Sequence, residues 1–238
     1  MKEVQDRQML ADYLSGHRLE KVFPEALLPY LTLLRFERGE PICSQGDRGH
    51  SLYVLVKGKI KVFTTSPEGK SLIISFTTPL EVIGDIEYIR GIEIINTVEA
   101  VTPVLMIGVP FRWLDKYGKD YAPLLQFLLD IITHKFYRKS NFLSFNLLHP
   151  VEVRLASYLL SVSDDDAELH TGGQISTSSL KDAANLIGTS YRHLNRVIQK
   201  FCESGLVERN NGYLTVINKE GLKKLIGHSI YEEEERHS

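Results

Sequence analysis

With 238 residues, 43% of them hydrophobic and 24% charged, the chain is long enough for one large or two smaller domains with real cores, and no apolar run approaches the ~20 residues of a membrane span. The formal charge of −2 gives no global sign of a nucleic-acid partner, although charge can be local. The start, MKEVQDRQML, lacks the apolar block of a secretory leader, so a cytoplasmic protein without membrane association is expected; Cys43 and Cys202 lack nearby partners or metal-ligand spacing and read as reduced, buried thiols.

Residues 1 to about 30 read as helical: Leu10, Tyr13 and Leu14 share a face, and FPEALLPY suggests a short helix framed by Pro24 and Pro29. From Leu31 to about Ile107 the texture changes to short runs rich in Val, Ile, Phe and Tyr (SLYVLV, KIKVFTT, KSLIISF, TVEAVTPVLMIGV), separated by ERGE, QGDRGH, VKGK and SPEGK. Many short strands at that spacing predict an antiparallel barrel or roll, with Gly39, Gly46, Gly58 and Gly69 at turns that need positive φ.

The period turns helical after Phe111 and stays so from Pro123 to about Leu147. Leu125, Leu129, Ile132, Phe136 and Leu143 form one seam there, interrupted by Lys139. Such a seam packs on the chain's own roll or on a second copy; the polar run THKFYRKSNF, unsuited to a sealed interior, favours a homodimer. A second helix starts at Val151 behind Pro150, whose missing N–H costs little at a helix start, and carries Val151, Leu155, Tyr158 and Leu159 to about Ser161. SDDDAELHTGGQ reads as an exposed loop and YEEEERHS as a solvated acidic tail. The expected divisions are 1–122, 123–148, 149–217 and a C-terminal helix with its tail over 218–238, with a hinge near NLLHPV.

Numbering a helix-turn-helix from Leu180 puts the small residue required at a helix crossing on Ala184, the turn glycine on Gly188, and buried positions of the second helix on Leu194 and Val197. Leu194, Val197, Ile198 and Phe201 follow the i, i+3, i+4, i+7 pattern. The opposite face carries Arg192, Arg196 and Gln199, flanked by Asn195 and Lys200, all donors suited to base edges in a major groove or to phosphates. In GLVERNNGYLTVIN an Asn-Gly turn at Asn211 and Gly212 joins two short strands, and a hairpin directly after the second helix makes a winged helix-turn-helix. Residues 170–217 hold five cations against three carboxylates, so positive charge concentrates there in a chain of net −2.

This order of parts resembles the CRP/FNR superfamily of bacterial transcription regulators over about residues 25–217, on ERGEPICSQGD, SLYVLVKGKIKVF, VIGDIEYI and, most specifically, SLKDAANLIGTSYRHLNRVIQKFCESGLV. The resemblance implies an α+β fold: an N-terminal antiparallel β-roll of cyclic-nucleotide-binding type, a long dimerisation helix and a C-terminal winged helix-turn-helix. It also implies base reading by Tyr191, Arg192 and Arg196, a phosphate contact from Ser190, an inverted-repeat operator in double-stranded DNA, and RNA polymerase as a further partner. Tyr191 stands where the family often has arginine, which bears on the target sequence rather than on binding.

In nucleotide-binding members a Gly-Glu pair meets the ribose and a downstream Arg-Ser or Arg-Thr pair meets the cyclic phosphate. Here Gly84 and Asp85 resemble the first pair, while Ile94 and Ile95 fall where the second should be. Isoleucine side chains cannot neutralise a buried phosphate, so the expectation is a degenerate pocket without a cofactor, in a roll that is either a sensor for an unknown effector or a constitutive scaffold. The alternative is a shifted register in which Arg90 completes a working nucleotide site with Gly84 and Asp85. The N-terminal cysteine cluster of oxygen-sensing members is missing, and lone histidines such as His134 and His149 do not argue for haem or metal. No Ser/His/Asp or Cys/His set, phosphate-cradling glycine motif or ligand cluster points to an enzyme.

Overall fold

Two-residue periodicity between Thr32 and Pro110 gives the strands two apolar faces, and each face has its own core. The computed structural model describes residues 1–69, 71–165, 174–177 and 180–226, in two units, Met1–Phe136 and Tyr137–Ser238. The first unit contains β1 (Lys2–Val4), α1 (Arg7–Gly16), β2 (Thr32–Phe36), β3 (Pro41–Cys43), β4 (Ser51–Lys57), β5 (Ile60–Thr65) and β6 (Ser71–Thr77). It continues with β7 (Glu81–Ile83), α2 (Asp85–Arg90), β8 (Thr97–Ala100), β9 (Val104–Pro110), the short α3 (Phe111–Trp113) and α4 (Ala122–Leu148), within which the chain passes to the second unit.

The strands pair antiparallel in two sheets, ordered β1-β2-β9-β4-β7 and β3-β8-β5-β6. Leu34, Phe36, Leu55 and Met106 of the first sheet meet Ile42, Ile60, Val98 and Ala100 of the second. Leu33, Leu52, Val54, Ile107 and Val109 lie on the other face of the first sheet, under Leu10 and Leu14 of α1, Phe23, Leu27, Leu114, and Leu124 and Leu128 of α4. Each fully buried leucine contributes about 1.5–3 kcal/mol by leaving water. The four expected turn glycines all have positive φ; at Gly58 a Cβ would also come within 2.6 Å of the Pro103 carbonyl oxygen.

The N-terminal stretch departs from expectation at its first residues, which form a strand, and at Pro29, which lies inside the expected short helix rather than framing it. Lys2–Val4 form an edge strand against β2, with Lys2 opposite Arg35, and α1 begins only after Asp6, whose carboxylate accepts from the Met9 N–H at 2.9 Å. FPEALLPY forms a 3-10 helix over Glu25–Tyr30 with Pro29 inside it rather than at its end. A proline has no N–H for the ladder of a continuing α-helix, and Leu31 closes the tighter bond to the Leu28 carbonyl.

The second unit holds α5 (Val151–Asp165), β10 (Gln174–Ser176), α6 (Leu180–Leu186), α7 (Tyr191–Glu203), β11 (Val207–Asn210), β12 (Tyr213–Val216) and α8 (Lys219–Ile226). Helix α5 runs beyond its expected end at Ser161, and Gln174 of the expected loop belongs to a strand. Most of that loop, residues 166–173, and the tail YEEEERHS lie outside the described residues. Strand β12 sits between β10 and β11, with buried Leu214 opposite buried Ile175. Asn211 and Gly212 both take positive φ, as a two-residue hairpin turn requires. Helix α8 packs on α5, and Asn218 Oδ1 caps it by accepting from the Gly221 N–H at 2.7 Å. His149 and Pro150 interrupt the helical run between α4 and α5. Among the described residues no helix is long and apolar enough to cross a membrane.

Candidate nucleic-acid interface

Helices α6 and α7 meet where the sequence spacing requires. Leu180, Ala183, Ala184 and Ile187 are buried, Gly188 turns at φ +66°, and the Thr189 N–H closes the turn on the Ala184 carbonyl at 2.9 Å. A lock not visible from that spacing comes from α5: Arg154 donates to the Ile187 carbonyl, and its Nη1 lies 3.4 Å from where a Cβ on Gly188 would sit. Ser190 caps α7, its Oγ accepting from the His193 N–H at 3.2 Å, which leaves the hydroxyl proton available to an outside acceptor.

Helix α7 buries Leu194, Val197, Ile198 and Phe201, the four residues of the expected apolar stripe. Tyr191, Arg192 and Arg196 are exposed, and neither arginine has a hydrogen-bond or ion-pair partner among the described residues. The remaining expected contacts are already engaged within the chain. Gln199 Nε2 donates to Glu203 at 3.1 Å, and Lys200 Nζ stands 3.5 Å from Glu152 Oε1 of α5. Hydrogen bonding to its own backbone N–H, and then to Lys200, holds the Glu152 carboxyl below the usual range. Asn195 Nδ2 donates to the Tyr191 carbonyl at 2.9 Å, while its Oδ1 accepts from Arg209 Nη1 of β11 at 3.1 Å. Between α7 and the hairpin lies a groove of about 370 Å³ lined by Asn195, Arg196, Ile198, Gln199, Cys202 and Arg209. Arg209 lines that groove from the hairpin, a placement that the helical pattern of α7 alone does not reveal.

In the roll, Gly84 opens α2 at φ +88°, where a Cβ would lie 2.8 Å from the Ser51 carbonyl oxygen. Asp85 is 3% exposed, and its Oδ2 accepts from Lys135 Nζ of α4 at 2.9 Å. Lys135 also stands 3.1 Å from Glu81 Oε1 and donates to the Val82 carbonyl. Ile94 is buried beside Gly49 and Phe111, while Ile95 is exposed. Their backbone donors are in use: the Ile94 N–H meets the Asp47 carbonyl at 2.8 Å, and the Ile95 N–H meets Glu87 Oε1 at 3.1 Å. Arg90 lies exposed in the last turn of α2.

Helix α4 is apolar on two sides. Leu124 and Leu128 are buried in the roll's outer core, whereas Leu125, Leu129 and Phe136 of the expected seam are 47%, 55% and 72% exposed. Ile132 is half-buried and Leu143 exposed. His134 and His149 are exposed, and among the described residues no group of three or more His, Cys, Asp and Glu is arranged to hold a metal ion. Burial pushes the Cys43 thiol up to about 12, and its Sγ donates to the Asn96 carbonyl; Cys202 is half-buried at the groove.

Two family models match the chain, the cyclic nucleotide-binding domain over residues 33–117 and the Crp-like helix-turn-helix domain over residues 153–225. A CRP-like cAMP-activated global transcriptional regulator of Mycobacterium tuberculosis is 21% identical over 201 residues, spanning 84% of this chain and 90% of that one. Regulatory protein YeiL of Escherichia coli O157:H7 is 28% identical over 185 residues, spanning 76% and 80%. The crystal structure of a putative transcriptional regulator of the crp/fnr family from Eubacterium rectale superposes with a TM-score of 0.73 at 19% identity, over 86% of this chain and 93% of that one.

Proposed function

We propose that the chain, which belongs to the CRP/FNR superfamily of transcription regulators, binds as a homodimer to an inverted-repeat operator in double-stranded DNA and that its roll does not take a cyclic nucleotide. The observation that carries the DNA reading is the outer face of α7, where Arg192 and Arg196 stand exposed and unpaired among the described residues. Guanidinium groups in that setting suit the paired acceptors of guanine in a major groove. Tyr191 lies at the same helix end, and Ser190 offers a hydroxyl proton to a phosphate. Lys200 adds a further phosphate contact by leaving Glu152, and Gln199 a base or phosphate contact by leaving Glu203. The exposed apolar side of α4 supports pairing with a second copy, and the bound dimer acts on transcription through RNA polymerase.

The chemistry around Gly84 and Asp85 supports a roll without cyclic nucleotide. Asp85 already holds Lys135, and the backbone donors of Ile94 and Ile95 are committed to Asp47 and Glu87. A cyclic phosphate set there would meet apolar side chains and find no free donor from either isoleucine. On this reading the cAMP activation named for the Mycobacterium relative does not carry over, and the roll serves either an effector of another chemistry or as a scaffold. Selecting bound sequences from random DNA, followed by footprinting, tests the central reading. The expected product is an inverted repeat with half-sites about one helical turn apart. Equal affinity for selected and random DNA refutes it.

A further inference from the structure

We propose that Arg209 of the hairpin is a specificity-determining residue for DNA, acting as a positioning residue through Asn195 of α7; the inference rests on the DNA reading above. The geometry is a chain of two hydrogen bonds. Arg209 Nη1 donates to Asn195 Oδ1 at 3.1 Å, and Asn195 Nδ2 donates to the Tyr191 carbonyl at 2.9 Å. Together they fix which way the amide faces. Flipping it would set its NH₂ against the guanidinium and its oxygen against a carbonyl, two pairings without a proton to share or an acceptor to receive one.

The consequences reach both partners. One N–H and one lone pair of Asn195 remain for an outside group, and their direction is set jointly by Arg209 of the wing and by the Tyr191 carbonyl of the helix. Arg209 is held in turn against the groove that Arg196 also lines, instead of swinging freely on an exposed strand. Its own strand cannot slide, because Arg209 is in register with Leu214, which is buried in the sheet of the second unit. Hairpin and recognition helix therefore present one polar surface, in which the base pair facing Asn195 and Arg196 is read by an amide of imposed orientation.

The test compares the full chain with Arg209→Met, Asn195→Ala and the double variant, measuring affinity for the selected operator, for each single-base variant of it and for random DNA across a salt series. Arg209→Met keeps the stem and removes the fork, and Arg209→Gln serves if the methionine variant does not fold. The expected result is that both single variants lose about tenfold discrimination at the same base pairs, and that the double variant loses no more than either. A loss by Arg209→Met that is uniform over all sequences, with a salt slope lower by about one, makes Arg209 a phosphate contact only and overturns the proposal. So does an unchanged base preference, or loss at base pairs that Asn195→Ala leaves untouched. A wild-type chain that fails to distinguish selected from random DNA defeats the DNA reading itself, which is a separate outcome.

Discussion

Lys135 gathers two carboxylates and a carbonyl around one ammonium, and the side chains of Glu81 and Asp85 are only 10% and 4% exposed. Removing the cation leaves both acids in a poorly solvated place, so Lys135→Met is expected to destabilise the roll by about 3 kcal/mol in denaturant unfolding. Adding Glu81→Gln and Asp85→Asn should recover much of that loss, because the uncompensated charge goes with them; a triple variant as unstable as the single one would count against the ion cluster. At the DNA face, Arg192→Ala and Arg196→Ala should each cost about 1–3 kcal/mol at the selected operator and relax base preference. Lys200→Ala should weaken all sequences alike and lower the salt slope by about one, whereas Glu152→Gln, which frees Lys200 of its partner, should raise affinity for random DNA. A thiol whose pKa burial pushes up to about 12 holds little thiolate at pH 8, so iodoacetamide should label Cys202 before Cys43, as peptide mapping would show.

Elements differ in how much of them the sequence carries. The buried stripe of α7 is legible, because an apolar repeat is a local pattern: Leu194, Val197, Ile198 and Phe201 are buried, while the N-cap role of Ser190 emerges only in the structure. The hairpin is equally readable, since Asn211-Gly212 names its turn. What periodicity cannot show is a partner distant in sequence. Nothing in the helical pattern says that Lys135 reaches Asp85, that Arg154 holds the turn at Ile187, or that β1 adds to β2. Helix α4 shows the difference most plainly. Its seam of Leu125, Leu129, Ile132 and Phe136 is visible, but the second apolar side at Leu124 and Leu128 becomes distinct only once the roll is in place. That separation sharpens the dimer test. Leu129→Glu with Phe136→Glu changes only exposed positions and should leave the monomer's melting temperature nearly unchanged while sedimentation shows the dimer lost. Wild type that sediments as a monomer at micromolar concentration would remove the need for a partner on this face.

At the scale of the whole molecule, a regulator needs its ligand to favour one state over another, since a small molecule shifts an equilibrium only by its differential affinity. The roll matches a cyclic-nucleotide-binding domain, with Gly84 at a positive-φ turn, Lys135 bonded to Asp85 and Ile94 buried. On the proposed reading, a nucleotide at Gly84 and Asp85 would compete with a lysine held by two carboxylates and bring its phosphate to apolar side chains. Cyclic AMP and cyclic GMP are therefore expected to give no heat in calorimetric titration up to millimolar concentration, no rise in melting temperature and no change in operator affinity. The opposing case is specific: Arg90, exposed in the last turn of α2, would have to turn toward Gly84 and Asp85 as the counter-charge. Micromolar binding abolished by Arg90→Ala would establish that arrangement and make the roll a nucleotide sensor. If Lys135→Met creates nucleotide binding that wild type lacks, the ion cluster on Asp85, rather than the two isoleucines, is what excludes the nucleotide.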